Sequence, residues 1–209
     1  WQHRAIAPIA HAELGLTLLG LWLFIPLSPE ILLFGAGDLR QVLDLPGAVP
    51  FAAETFMRIE TAITALNAVA VGLLVRQLAA RLSLAYLLVP GVLALGLLVR
   101  TISAAVLVGP GNAFTWLTPG AQIGFAIGCL VLAITLPLPA VLRLMVAALA
   151  LMAGTVLVNL APPNPYSLAA LAAWRQGHFL NFNGLTRVVA IFWPFLALPF
   201  FFVANRRSP

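Results

Sequence analysis

Residues 56–106 read FMRIETAITALNAVAVGLLVRQLAARLSLAYLLVPGVLALGLLVRTISAAV, two long apolar runs joined by a turn with an arginine at each end, Arg76 and Arg81. A bilayer hydrocarbon core of about 30 Å takes roughly 20 apolar residues per helix. The runs at 56–75 and 82–106 have that length. Lipid offers no partner for free backbone amides, so continuous runs of this kind are expected as helices. The stretch therefore predicts a transmembrane helical hairpin.

Working outward, four more apolar runs fall at 12–27, 118–136, 141–160 and 187–204. The expected fold is an all-α integral membrane protein, a bundle of about six transmembrane helices in a single domain over 1–209. Composition points the same way, with 62% hydrophobic and 8% charged residues against about 25% charged in soluble domains. The first residue is Trp1, and nothing ahead of Leu14 has the form of a cleavable signal, so the sequence is expected to be a piece of a longer chain.

Arg76 and Arg81, Arg143 beside Pro137 and Pro139, and Arg206 and Arg207 after the last run all fall on one side of such a bundle. The positive-inside rule makes that side cytoplasmic, with both termini there. Three loops, 28–55, 107–117 and 161–186, then face outward. The first carries Ile31-Leu32-Leu33-Phe34 ahead of Gly35-Ala36-Gly37-Asp38 and is expected to lie partly in the membrane interface. In the third, Ser167 is placed to cap a short helix through about Gln176.

All six carboxylates precede residue 61, and eight of the eleven arginines follow it. Dispersed arginines flanking apolar runs act as topological anchors, which argues against nucleic acid as a partner. Cys129 is the only cysteine, which excludes disulfides within the chain and thiolate metal clusters. His3, His11 and His178 are scattered without carboxylates at ligand spacing, so no metal or cofactor is expected.

Three sets of residues are candidates for special roles. Glu60, Thr64 and Asn67 share one face of the second run, and Glu60 and Arg100 lie equally far from the turn near residue 80. A buried Glu60–Arg100 pair is therefore expected, since an unpaired charge within a span costs about 2.5–3.5 kcal/mol. Gly120, Gly124 and Gly128 form a doubled G-x-x-x-G stripe for close helix approach, with a neighbour expected in the same chain. The outer cluster Trp174, Arg175, His178, Asn181, Asn183 and Arg187 supplies donors and flat rings suited to a lipid headgroup or glycan. Neither a nucleophile motif nor a phosphate loop occurs, and Gly109-Pro110-Gly111-Asn112 is a turn.

The cluster at 174–187 with Trp193-Pro194, the stretch Leu33-Phe34-Gly35-Ala36-Gly37-Asp38-Leu39-Arg40, and Asn159-Leu160-Ala161-Pro162-Pro163-Asn164-Pro165-Tyr166 together resemble the C-terminal half of long bacterial VanZ-like membrane proteins. That family takes its name from a membrane protein linked to teicoplanin resistance. The resemblance implies a bacterial inner-membrane, cell-envelope setting without a defined reaction. Its acidic-x-x-Gln element is absent here, because Ile63 stands at that offset from Glu60, and no functional residue carries over.

The expectation is a non-enzymatic envelope protein in contact with membrane lipids, handling a lipid or lipid-linked glycan at its periplasmic loops. The alternatives are an accessory subunit bound to other membrane subunits of a photosynthetic or respiratory assembly, and a small-solute transporter.

Overall fold

A computed structural model of the chain describes residues 12–28, 31–43, 49–162, 164 and 180–203. These residues form α1 (Ala12–Trp22), the single turn α2 (Arg40–Leu43), α3 (Ala53–Leu78), α4 (Leu82–Leu107), α5 (Pro119–Thr135), α6 (Ala140–Leu160) and α7 (Leu180–Val203). Short 3-10 turns occupy Ile25–Leu27 and Pro110–Asn112. All six expected helices are present, and the architecture of the described residues is all-helical. By length and composition, four are able to cross a membrane, namely Ala53–Leu78, Leu82–Leu107, Ala140–Leu160 and Gly184–Val203. The stretches Ala12–Leu27 and Pro119–Thr135 are apolar but shorter.

The run expected as one helix over 12–27 stops at Trp22. Pro26 explains this, because a proline ring clashes with the carbonyl four residues earlier and cannot donate to it. The chain tightens into i−3 bonding, with Phe24 N–H donating to Leu21 O at 3.0 Å and Ser28 N–H to Ile25 O at 3.1 Å. At the other end of the chain, α7 starts at Leu180 rather than near 187, so it includes residues expected in the preceding loop. Pro90, Pro194 and Pro199 lie inside α4 and α7, which continue through them.

The central helix is α3, packed against α1, α4, α5 and α6. Its Ala65, Ala68, Ala70, Gly72, Thr64 and Asn67 are buried on several sides at once, as small and polar residues are in membrane bundles, where close packing rather than apolar character selects interior positions. The Gly120, Gly124 and Gly128 stripe of α5 lies on α3 of the same chain. A Cβ on Gly120 would collide with the Glu60 carboxylate, one on Gly124 with the Thr61 carbonyl, and one on Gly128 would sit 3.0 Å from Ala68 Cβ. The constant offset of sixty makes α5 parallel to α3. Helix α6 runs the opposite way, with Gly154 against Asn67.

α1 and α7 are antiparallel, since Gly15 meets Phe200 and Leu78 while Trp193 Nε1 donates to Leu18 O at 2.8 Å. The start of α1, the end of α7 and the turns at 79–81 and 136–139 therefore lie at one end of the bundle. The opposite end collects residues 23–43, 49–52 and 108–118 and the C-terminus of α6.

Candidate functional site

The first long loop does not lie flat over the helices: it enters the bundle. Leu33, Phe34, Gly35, Ala36 and Gly37 are all buried, and Leu33, Phe34 and Ala36 belong to the main apolar core. This corrects the expectation of a partly interfacial segment. Backbone without helical or sheet pairing is tolerated at such depth only when protein groups satisfy its amides and carbonyls, each worth several kcal/mol in hydrocarbon. Here those groups come from four helices.

On the α4 side, the Arg100 guanidinium donates to the carbonyls of Ser28 and Ile31, the latter at 2.6 Å, and the Ser103 hydroxyl donates to Leu27 O. From α3, Thr64 reaches Leu33 O at 3.4 Å. From α7, the Ala190 carbonyl accepts Gly37 N–H at 2.8 Å. From α6, Asn159 donates to Gly37 O at 2.7 Å and accepts Leu39 N–H at 2.9 Å.

The loop then turns onto the C-terminus of α6. Arg40 donates to Ala161 O, the capping carbonyl, while pairing with Asp38 at 2.6 Å. A cation there complements the helix dipole. The hydrogen bond with Asp38 holds the Arg40 guanidinium above its ordinary pKa; partial burial opposes this and the Asp38 charge reinforces it.

Packing fixes the loop's apex. Phe34 takes a left-handed backbone conformation, φ 60°, which costs a non-glycine residue about 1–3 kcal/mol. Its ring is offset by contacts with Trp22, centroids 5.3 Å apart, and Phe125, 6.3 Å apart. Gly96 makes room, since a Cβ there would fall 2.6 Å from the Trp22 ring. Gly37, at φ 85°, needs both glycine's freedom and its size, because a Cβ would lie 2.7 Å from Thr155 Cγ2.

Glu60 and Arg100 are both buried, 4% and 5% exposed, yet they do not pair. Arg100 serves the loop, whereas Glu60 faces α5, its carboxylate lying against Gly120. Among the described residues the ion pairs are Asp38–Arg40 and Glu54–Arg58. Equal depth along two helices does not fix the direction in which their side chains point.

Trp174, Arg175 and His178 lie outside the described residues, as does the expected short helix from Ser167. Asn181 and Asn183 fall in the first turns of α7, with side chains also outside the description, and Arg187 lies on α7, partly buried. Sequence reasoning missed Ser103, Asn159 and Trp193 as hydrogen-bonding groups. The i, i+3 spacing of Arg100 and Ser103 was the available signal for one polar face on α4. Asn159, at the end of an apolar run before Pro162-Pro163, gave none that distinguishes a clamp from a helix terminus.

Among the described residues no group of three His, Cys, Asp or Glu is placed to hold a metal ion, and Cys129 is exposed. What the arrangement provides is a fixed platform at one end of the bundle. The stretches 33–40 and 159–162, distant in sequence, are joined in it. Neither a protein-family model nor any curated protein or solved structure matches the chain.

Proposed function

We propose that this chain is a non-enzymatic, multi-pass protein of the bacterial inner membrane, VanZ-like, with both termini cytoplasmic, that engages a lipid or lipid-linked glycan at its periplasmic end. The carrying observation is the inserted loop held from α3, α4, α6 and α7. Seven hydrogen-bonding connections from four helices are invested in this one segment at one end of the bundle. Around it Val42, Leu43, Phe51, Phe114 and Leu117 are exposed. An apolar rim next to the Asp38–Arg40 pair suits the boundary between acyl chains and headgroups.

The envelope role is tested by deleting the gene and complementing it with wild type or with a Trp174→Ala, Arg175→Ala, His178→Ala variant. Altered teicoplanin susceptibility on deletion, restored by wild type and not by the variant, is the expected result. Unchanged susceptibility in the deletion strain would remove the envelope role.

The broad exposed face of α4, including Leu87, Leu98, Ile102 and Val106, supports a second reading as an accessory subunit of a larger membrane complex. Intact mass measurement after purification in mild detergent separates the two, because a subunit travels with partners in fixed ratio.

A further inference from the structure

At the end of the bundle opposite the inserted loop, two arginines from different helices converge on the turn joining α5 to α6. Arg76 of α3 donates through Nε to Leu136 O at 3.3 Å and through a terminal nitrogen to Ala79 O at 3.2 Å. Arg143 of α6 donates to Leu138 O. The acceptors Leu136 and Leu138 are two residues apart, so the two guanidinium groups bind the same short turn. Each guanidinium carries five N–H donors. Carbonyls take two from Arg76 and one from Arg143, and Arg143 Nε is buried with no hydrogen-bond partner among the described residues.

A carboxylate beside such a pair would favour the charged state of both guanidiniums. Among the described residues none pairs with either arginine: Asp38, Glu54 and Glu60 are at the far end, and Glu13, on α1 at the near end, forms no ion pair. Two like charges held together, half sheltered from water, with donors unspent, are an incomplete arrangement that an anion completes. The first turn of α6 starts at Ala140 beside them and adds the positive end of its dipole. Ile134, Val141 and Leu142, flanking the same turn, are exposed and apolar.

We propose that Arg76 and Arg143 bind the phosphate of an anionic lipid headgroup, with acyl chains running over Ile134, Val141 and Leu142. The anion bridges the two guanidiniums and ties the α5–α6 turn to α3. A phosphate on a lipid is favoured over a free one because donors and apolar surface occur together. The site rests on the bundle residing in a bilayer, and it is independent of the periplasmic ligand.

The test is native mass spectrometry of the full chain in mild detergent, titrated with phosphatidylglycerol, with phosphatidylcholine and with inorganic phosphate. Wild type is expected to retain phosphatidylglycerol in preference to phosphatidylcholine. Arg76→Gln and Arg143→Gln each weaken that preference about fivefold, the worth of one arginine near a charged lipid surface. Arg58→Gln, at the other end, leaves it unchanged, and Arg143→Lys keeps part of it. Monodispersity and melting temperature identify any variant that fails to fold, in which case the lysine variant decides. Equal retention of both lipids, or glutamine variants that bind as wild type does, overturns the site; so does inorganic phosphate displacing the lipid at millimolar level. Recovery of the chain in the soluble fraction without detergent would instead sink the membrane reading itself.

Discussion

The side-chain amide of Asn159 holds Gly37 and Leu39 as a neighbouring strand would, donating to Gly37 O at 2.7 Å and accepting Leu39 N–H at 2.9 Å. One residue at the end of α6 thus satisfies both a carbonyl and an amide in the inserted loop. Asn159→Leu keeps the approximate volume and removes both bonds, leaving each backbone group unpaired at a cost of about 1–3 kcal/mol. The melting temperature of the full chain in detergent should fall. Ala36, 2% exposed, should become reactive when replaced by cysteine in a Cys129→Ala background. Asn159→Asp retains the acceptor alone and should be intermediate. An Asn159→Leu variant with unaltered melting and a still-protected Ala36→Cys thiol would contradict the clamp.

Glu60 and Arg100 should behave as energetically independent residues, despite their matching depth. The Arg100 fork serves Ser28 and Ile31, and Glu60 sits against Gly120. In a double-mutant cycle of Glu60→Gln and Arg100→Gln, the two changes in stability should add to within about 0.5 kcal/mol. Coupling well beyond that would mean that the charges do interact. Arg100→Lys should also destabilise, because an ammonium lacks the planar fork that reaches two carbonyls at once.

The six long helices of the described residues, and their order, were legible in the sequence because long apolar runs leave few alternatives, although only four of them have the length to cross a membrane. The Gly120, Gly124 and Gly128 stripe was legible too, since small residues at i, i+4 and i+8 share a face whatever they meet. The inserted loop was not. Leu33, Phe34 and Ala36 are apolar, and an apolar loop segment suits an interface as well as a core. What places it inside is the break at Trp22, the turns at Phe34 and Gly37, and polar groups from helices more than 120 residues away in the case of Asn159. Pro26 carried a local signal for that break. The acceptors of Arg100 among the described residues were missed for a related reason: Ser28 and Ile31 offer backbone carbonyls, which are invisible in a list of side chains.

The Asp38–Arg40 latch gives a pH prediction of definite sign. The folded-state pKa of Arg40 is raised, so its contribution is fully present below the unfolded value and is lost only as pH rises through the folded one. Both values lie far above neutrality. The latch should therefore add no slope to stability between about pH 6 and 9. In Arg40→Lys, whose charge titrates near a pKa of about 10.4, the melting temperature should fall further below that of wild type as pH climbs into that range. Parallel curves for the two proteins up to that range would show that the charge at this position does not stabilise the α6 terminus.

The contact between α3 and α5 depends on the absence of side chains, and the structure says which glycines matter. A Cβ at Gly124 runs into the Thr61 carbonyl and lies 2.8 Å from Thr64 Cβ, whereas at Gly91 of α4 nothing lies within 4 Å. Backbone cannot yield as a flexible side chain can, so Gly124→Ala must push α5 away from α3. Overpacking of this kind costs about 1–3 kcal/mol. Gly91→Ala removes only helix-disfavouring flexibility and should be neutral or stabilising by up to about 1 kcal/mol. Unfolding of both variants in mixed micelles gives the comparison. Similar losses at the two positions would mean that glycine is needed for the helices themselves; a loss at Gly124 alone locates the requirement in the α3–α5 contact. Since α5 also positions Phe125 against Phe34, Gly124→Ala should in addition raise the labelling of Ala36→Cys, linking helix packing to the seating of the inserted loop.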